Sequence, residues 1–183
     1  MLLVAMIATI GAGFWSMLLP GLPSQKDTYI AHFALGLSTA IGILFVHCII
    51  FIYFLGTGRW VKEVTLAYEM PDEPNHKLTR ELKRKAFPPA LFAMLIGIAT
   101  AAAGAGAQLQ AWPWYVHMSL GFATVLVNLW AFRVEYGCVA TNAGVIRAVM
   151  DDVERIRRLR GLSSNAEALA EDAQQVAHAR RSG

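Results

Sequence analysis

The chain has 183 residues, 56% of them hydrophobic and only 16% charged, with a mean hydropathy of +0.44 and a formal net charge of +3. A soluble domain carries about a quarter charged residues, and these proportions exclude an intrinsically disordered chain, a collagen-like repeat and a disulfide-stapled secreted scaffold. The apolar residues stand in four long blocks, which predicts one domain of lipid-embedded helices rather than soluble domains.

The first block, 1–19, holds no charged side chain. It reads as a retained span, because no basic segment opens it and Leu-Leu-Pro-Gly-Leu-Pro-Ser is a poor cleavage context. Pro20, Gly21, Pro23, Lys26 and Asp27 predict a short turn. The second block, 29–55, is interrupted only by His32 and His47, and Gly56-Thr57-Gly58 is expected to close it. A loop over 56–86 follows, expected to be helical rather than an independent domain; it is mixed in charge, broken at Pro71 and Pro74, and ends in Lys83-Arg84-Lys85, a cluster suited to anionic headgroups. The third and fourth blocks cover 87–107 and 115–134. Each block approaches the roughly 20 residues that cross the hydrocarbon layer, where backbone polar groups must be satisfied internally, so each is expected to be helical.

From about Asn142 the chain is amphipathic, with Ile146, Val149, Val153 and Ile156 three and four apart. Ser164 and Glu167 have capping-box spacing for one further short helix. This tail is expected to lie along the membrane, pack on 59–86, or dock a partner. Cys48 and Cys138 have no motif spacing and read as small apolar fillers. The expected fold is an all-α integral membrane four-helix bundle over 1–139, built from two parallel-repeat helical hairpins, with a cytoplasmic C-terminal amphipathic helix within 140–183.

Fifteen of the sixteen basic residues fall in the 56–86 segment or at and beyond the inner end of the fourth span, Arg133 included; only Lys26 does not. The positive-inside rule then places both termini and the 56–86 loop in the cytoplasm, as in a bacterial-type inner membrane. Trp112, Trp114 and Tyr115 occupy the place of an outer aromatic belt, and Trp60 that of an inner one. Setting His32 over His117 aligns His32-Phe-Ala-Leu-Gly36-Leu-Ser-Thr39 with His117-Met-Ser-Leu-Gly121-Phe-Ala-Thr124. The preceding spans match more weakly, through Ala5-Met6 over Ala93-Met94. Two hairpins inserted in one direction are related by an axis along the membrane normal, which puts the two histidines at equal depth.

Ionisable residues inside spans are functional candidates by default. In both helices Gly lies one turn, and Thr two turns, from the histidine on the same face. Glycine clears space for a wide flat ligand, and threonine can orient a polar group or bond back to its own helix. The pattern H-x3-G-x2-T, present twice, therefore suits a haem b bound by two histidines. His32 and His117 are the expected iron ligands, with Gly36, Gly121, Thr39 and Thr124 lining the ring. His47 is an additional candidate, as a hydrogen-bonded core residue, a proton-relay or quinone contact, or a partner of Met6 or Met94 at a second iron. Asn128 adds polarity to this face, Arg133 and Glu135 read as snorkelling interfacial residues, and His76 and His178 as surface residues.

The layout is similar to that of the membrane anchors of quinone-linked dehydrogenases. It suggests a b-type cytochrome subunit that relays electrons, within a respiratory or photosynthetic complex, to a quinone or another carrier. A cofactor-free structural subunit and a small channel or transporter are the alternatives. The expected partners are the lipid bilayer and other subunits or a second copy. No phosphate-binding loop, nucleophile elbow or Cys-x-x-Cys is present, and no aromatic platform for nucleic acid accompanies the basic residues.

Overall fold

The computed structural model describes residues 1–18 and 25–182, excepting the side chains of 25, 26, 165, 172 and 178–182. The expected turn at 20–23, the Lys26 side chain and the ring of His178 lie outside the described residues. Among the described residues there are five α-helices and no strand: α1 (Leu2–Leu18), α2 (Gln25–Ala67), α3 (Asn75–Gln108), α4 (Trp114–Leu159) and α5 (Asn165–Ser182). Three of them, α2, α3 and α4, are long and apolar enough to cross a membrane; α1 is apolar but shorter, at 17 residues. Its length of about 26 Å falls just short of a hydrocarbon layer of about 30 Å.

The helices α1 to α4 form a ring. α3 packs most extensively on α4, α2 lies against α3, α1 lies against α2, and α1 also reaches α4. Large apolar side chains point outward, among them Phe33, Ile41, Phe45 and Ile52 on α2, Phe92 and Leu95 on α3, and Leu126 and Trp130 on α4. The interior is made of small and polar residues instead: Ala86, Ala90, Ala93, Gly97 and Ala103 on α3, and Thr124, Asn128, Glu135 and Asn142 on α4. Water would drive the opposite distribution. Lipid tails remove the hydrophobic force between helices, so close approach of small residues and internal hydrogen bonds hold the bundle together.

One sequence expectation changes here. Gly56-Thr57-Gly58 does not close the second helix, because α2 runs through it to Ala67; the 56–86 segment is helical on both sides of 68–74. Two glycines in a helix interior cost about 1 kcal/mol each, yet buried Phe54 and Val61 on either side are held by neighbouring helices. The Thr57 hydroxyl returns a hydrogen bond to the Tyr53 carbonyl at 2.8 Å. α4 runs unbroken from the fourth apolar block into the amphipathic stretch. At about 64 Å and 69 Å, α2 and α4 are each twice as long as the hydrocarbon layer is thick. Their projecting ends enclose a second core of Val61, Val145, Val149 and Val153, with Val64, Tyr68, Leu78 and Ile146 around it. The amphipathic stripe of the tail therefore packs on the 59–86 segment, one of the arrangements expected for it.

Candidate functional site

A cavity of about 700 Å³ opens between α1, α2, α3 and α4, and both His32 and His117 line it. Their ring centroids stand 6.0 Å apart with planes at 78°. Each ring is oriented by the helix beside its own. The Nδ1–H of His32 donates to the Thr9 carbonyl at 2.9 Å, and that of His117 donates to the Thr100 carbonyl at 3.0 Å. A carbonyl can only accept, so Nδ1 carries the proton and the Nε2 lone pair is left free in each neutral ring.

The two environments correspond in further detail. The Thr9 hydroxyl returns to Ala5 at 2.8 Å and meets that of Thr39 at 3.1 Å. The Thr100 hydroxyl returns to Ile96 at 2.8 Å and meets that of Thr124 at 2.6 Å. A Cβ added at Gly13 would lie 2.9 Å from the Cε1 of His32, and one at Gly104 would lie 2.9 Å from the Cε1 of His117. Each imidazole thus lies over a glycine that admits nothing larger. Gly36 and Gly121 border the cavity: a Cβ would touch only Thr9, at 3.7 Å, from Gly36, and nothing within 4 Å from Gly121. Thr39 and Thr124 also line it, and Thr39 is bonded to Thr9 across the helix pair.

His32, His117, Gly36, Gly121, Thr39 and Thr124 are therefore brought to one cavity. Thr9, Thr100, Gly13 and Gly104, which hold the rings in place, were not anticipated. Their signal is the T-x3-G spacing, at 9/13 and again at 100/104. It sets the first and third helices three residues away from the register suggested by Ala5-Met6 over Ala93-Met94.

His47 lies deeper in the bundle and is fully buried. Its Nδ1 is 2.6 Å from Glu135 Oε1, and its Nε2 is 3.1 Å from Asn128 Oδ1. The Asn128 amide nitrogen donates to the Thr124 carbonyl at 2.9 Å, which turns its oxygen towards His47. The ring is stacked on Phe132 at 5.3 Å and 15°. With both nitrogens engaged, His47 offers no lone pair to a metal, and a His/Met pairing with Met6 or Met94 has no ligand atom to use. Glu135 is corrected as well: it is 3% exposed and buried against His47, whereas Arg133 is exposed as expected. Of the two cysteines, Cys138 is a buried filler and Cys48 faces outward.

Among the described residues no group of three or more His, Cys, Asp or Glu could hold a metal ion. A pair of imidazoles needs a further donor set to complete the coordination of iron. His76 sits outside the bundle interior, bonded to Asp72, which also meets Arg80 at 3.5 Å. The hydrogen bond from His76 holds the Asp72 carboxyl below its usual range, and the Arg80 charge adds to this. No protein-family model, curated protein or solved structure matches this chain, so the reading of its function rests on the site itself.

Proposed function

We propose that this chain is a membrane b-type cytochrome subunit that holds one haem b between α2 and α4, with His32 and His117 as its axial ligands. The observation that carries this reading is the pair of imidazoles on one cavity, each tied by Nδ1 to a carbonyl of the neighbouring helix. Metal-ligating histidines characteristically donate their other ring N–H in this way, which fixes the tautomer and aims Nε2. With metal–nitrogen bonds of about 2.0–2.1 Å, two imidazoles sharing one metal have centroids roughly 6–6.5 Å apart; here the separation is 6.0 Å. The cavity volume falls within the range of about 300–1,000 Å³ usual for cofactor pockets. Gly36 and Gly121 leave room beside the histidines for a flat macrocycle, which supplies the four donors that the chain lacks.

A bound haem supplies one-electron chemistry. The protein's part is to orient the two rings through Thr9 and Thr100, keep the cavity wall apolar and small, and exclude water. The matching contacts support an internal repeat of two hairpins, α1–α2 and α3–α4, with α1 as a fourth and shorter span. The basic residues support a cytoplasmic location for the termini and for the projecting ends of α2 and α4. The reading extends to electron relay towards a quinone or another carrier within a larger complex.

An absorption spectrum of the purified chain, produced with haem supplied, tests it. Reduction should sharpen the Soret band and split the α and β bands. His32→Ala and His117→Ala should each lose the pigment, while His47→Gln keeps it. A colourless wild-type protein overturns the reading in favour of a cofactor-free subunit.

A further inference from the structure

Beneath the cavity lies a buried histidine–carboxyl pair that haem ligation does not use. Ile43 and Thr124 form part of the cavity wall, and one turn below them stand His47 and Asn128. His47, Glu135 and Asn128 are at most 3% exposed, and Glu135 is the one buried carboxyl among the described residues. The orientation of Asn128 requires His47 Nε2 to carry a hydrogen. The short contact from Nδ1 to Glu135 Oε1 then requires one more proton between them. The pair is neutral in that state, whether the proton sits on nitrogen or oxygen. It can accept a second proton, giving an imidazolium hydrogen-bonded to a carboxylic acid, without losing either contact.

A line of hydrogen bonds joins this pair to the proposed haem ligand. Asn128 binds the Thr124 carbonyl, the Thr124 hydroxyl meets that of Thr100, and the Thr100 carbonyl accepts from His117. Towards the basic end, Asn142 lies two turns beyond Glu135 on the same face of α4. Its amide nitrogen donates to Tyr53 Oη at 3.2 Å and to Thr57 Oγ1 at 3.0 Å, while its fully buried Oδ1 has no partner. An unpartnered buried acceptor is a position that a water molecule satisfies. Asn142, Tyr53 and Thr57 thus form a second buried polar group nearer the basic end, with Phe54 and Cys138 packed between it and the pair.

We propose that His47 and Glu135 form a proton-binding site whose occupancy follows the charge in the cavity above. The proposal rests on the haem reading. When a one-electron donor reduces the cavity's occupant, the added negative charge raises the proton affinity of the pair, which draws a fraction of a proton from water; reoxidation releases it. The other titratable groups near the pair are few. Cys138 lies one turn along α4, and Lys85 of α3 is the basic residue on that side. Tyr53 lies on α2, Ala90 and Ala93 are the buried residues of α3 in this stretch, and Met6 of α1 lines the cavity above.

Four turns, about 22 Å, separate His47 from the level of His32. At an effective dielectric constant of about 20, a unit charge at that distance changes proton affinity about four-fold. This is about 35 mV on the midpoint potential at 59 mV per tenfold.

The test is a spectroelectrochemical titration of the full, haem-loaded chain in nanodiscs from about pH 5.5 to about pH 8.5. The wild-type midpoint should fall with rising pH by about that amount, and Glu135→Gln, which keeps an acceptor for His47, should flatten the slope while the α and β bands stay in place. Independently of any variant, the reduced-minus-oxidised infrared spectrum of the wild type should contain a carboxylic acid C=O signal. A flat wild-type midpoint, an unchanged slope in Glu135→Gln, or a spectrum without that signal overturns the proton site while leaving the haem reading intact. A chain that binds no haem overturns both.

Discussion

At the scale of single residues, the site depends on what is missing beside each imidazole. A methyl group at Gly13 or Gly104 would press on the ring at 2.9 Å. Relief means turning the histidine away from its carbonyl partner or parting two helices, at about 1–3 kcal/mol. Gly104→Ala should therefore lower haem occupancy several-fold, measured as pigment per protein. Gly144→Ala, where a Cβ meets nothing within 4 Å, should leave it unchanged. Equal occupancy in the two variants would remove the glycines from the account of the site. His32 and His117 were legible in the sequence because an ionisable side chain in an apolar run has few other uses. Thr9, Thr100, Gly13 and Gly104 were not, because threonine and glycine are ordinary interface residues in membrane helices and only packing reveals which of them meet a ring.

At the scale of elements, the helix ends follow local rules. Gly161, at φ 67°, terminates α4: its N–H bonds the Arg158 carbonyl at 3.1 Å, and that of Leu162 bonds the Arg157 carbonyl at 3.0 Å. This 5→2 and 6→1 pairing is the Schellman arrangement, which needs a left-handed residue. The expected capping box opens α5. The Glu167 N–H donates to Ser164 Oγ at 3.2 Å, and the Ser164 N–H donates to Glu167 Oε2 at 2.8 Å. These bonds hold the Glu167 carboxyl below its usual range. A depressed carboxylate stabilises above its unfolded pKa and loses that contribution as pH falls through the folded one. The start of α5 should therefore fray below about pH 4, together with the Asp72–His76 contact, which has the same sign. Glu167→Gln, which removes the titrating carboxyl while the Ser164 backbone N–H that carries the larger share of the effect stays in place, should abolish most of that acid dependence. Circular dichroism against pH, compared with the parent chain, is the measurement; an identical acid transition in both would contradict it.

At the scale of the whole molecule, the distribution of charge and the length of the helices set the arrangement in the bilayer. Lys83, Arg84 and Lys85 and the basic residues after the fourth span lie at the end where α2 and α4 project and enclose the valine core. In sealed inverted vesicles, which expose the cytoplasmic face, a cysteine placed at 72 should react with a membrane-impermeant maleimide, and one placed at 110 should not. The reverse pattern would invert the proposed orientation. Both positions are exposed in turns between helices, and a cysteine at 72 gives up only the Asp72 contacts with His76 and Arg80, outside the bundle interior.

Much of the architecture follows from sequence alone. Long apolar runs without compensating charge can only satisfy their backbone as helices in lipid, so the all-helical fold, the turns at 68–74 and 109–113 and the α5 cap are local consequences of composition and spacing. Position along a helix was less legible. Hydropathy placed Glu135 at an interface, because the apolar run ends at 134, whereas α4 continues and buries that face against α2 and α3. The partners of each buried polar group come from helices far apart in the chain, as with Glu135 for His47, Thr100 for His117 and Thr9 for His32. Tertiary structure decided these, because which carbonyl or carboxyl a ring meets depends on the relative height and rotation of two packed helices. A pattern within either helix carries no record of that relation.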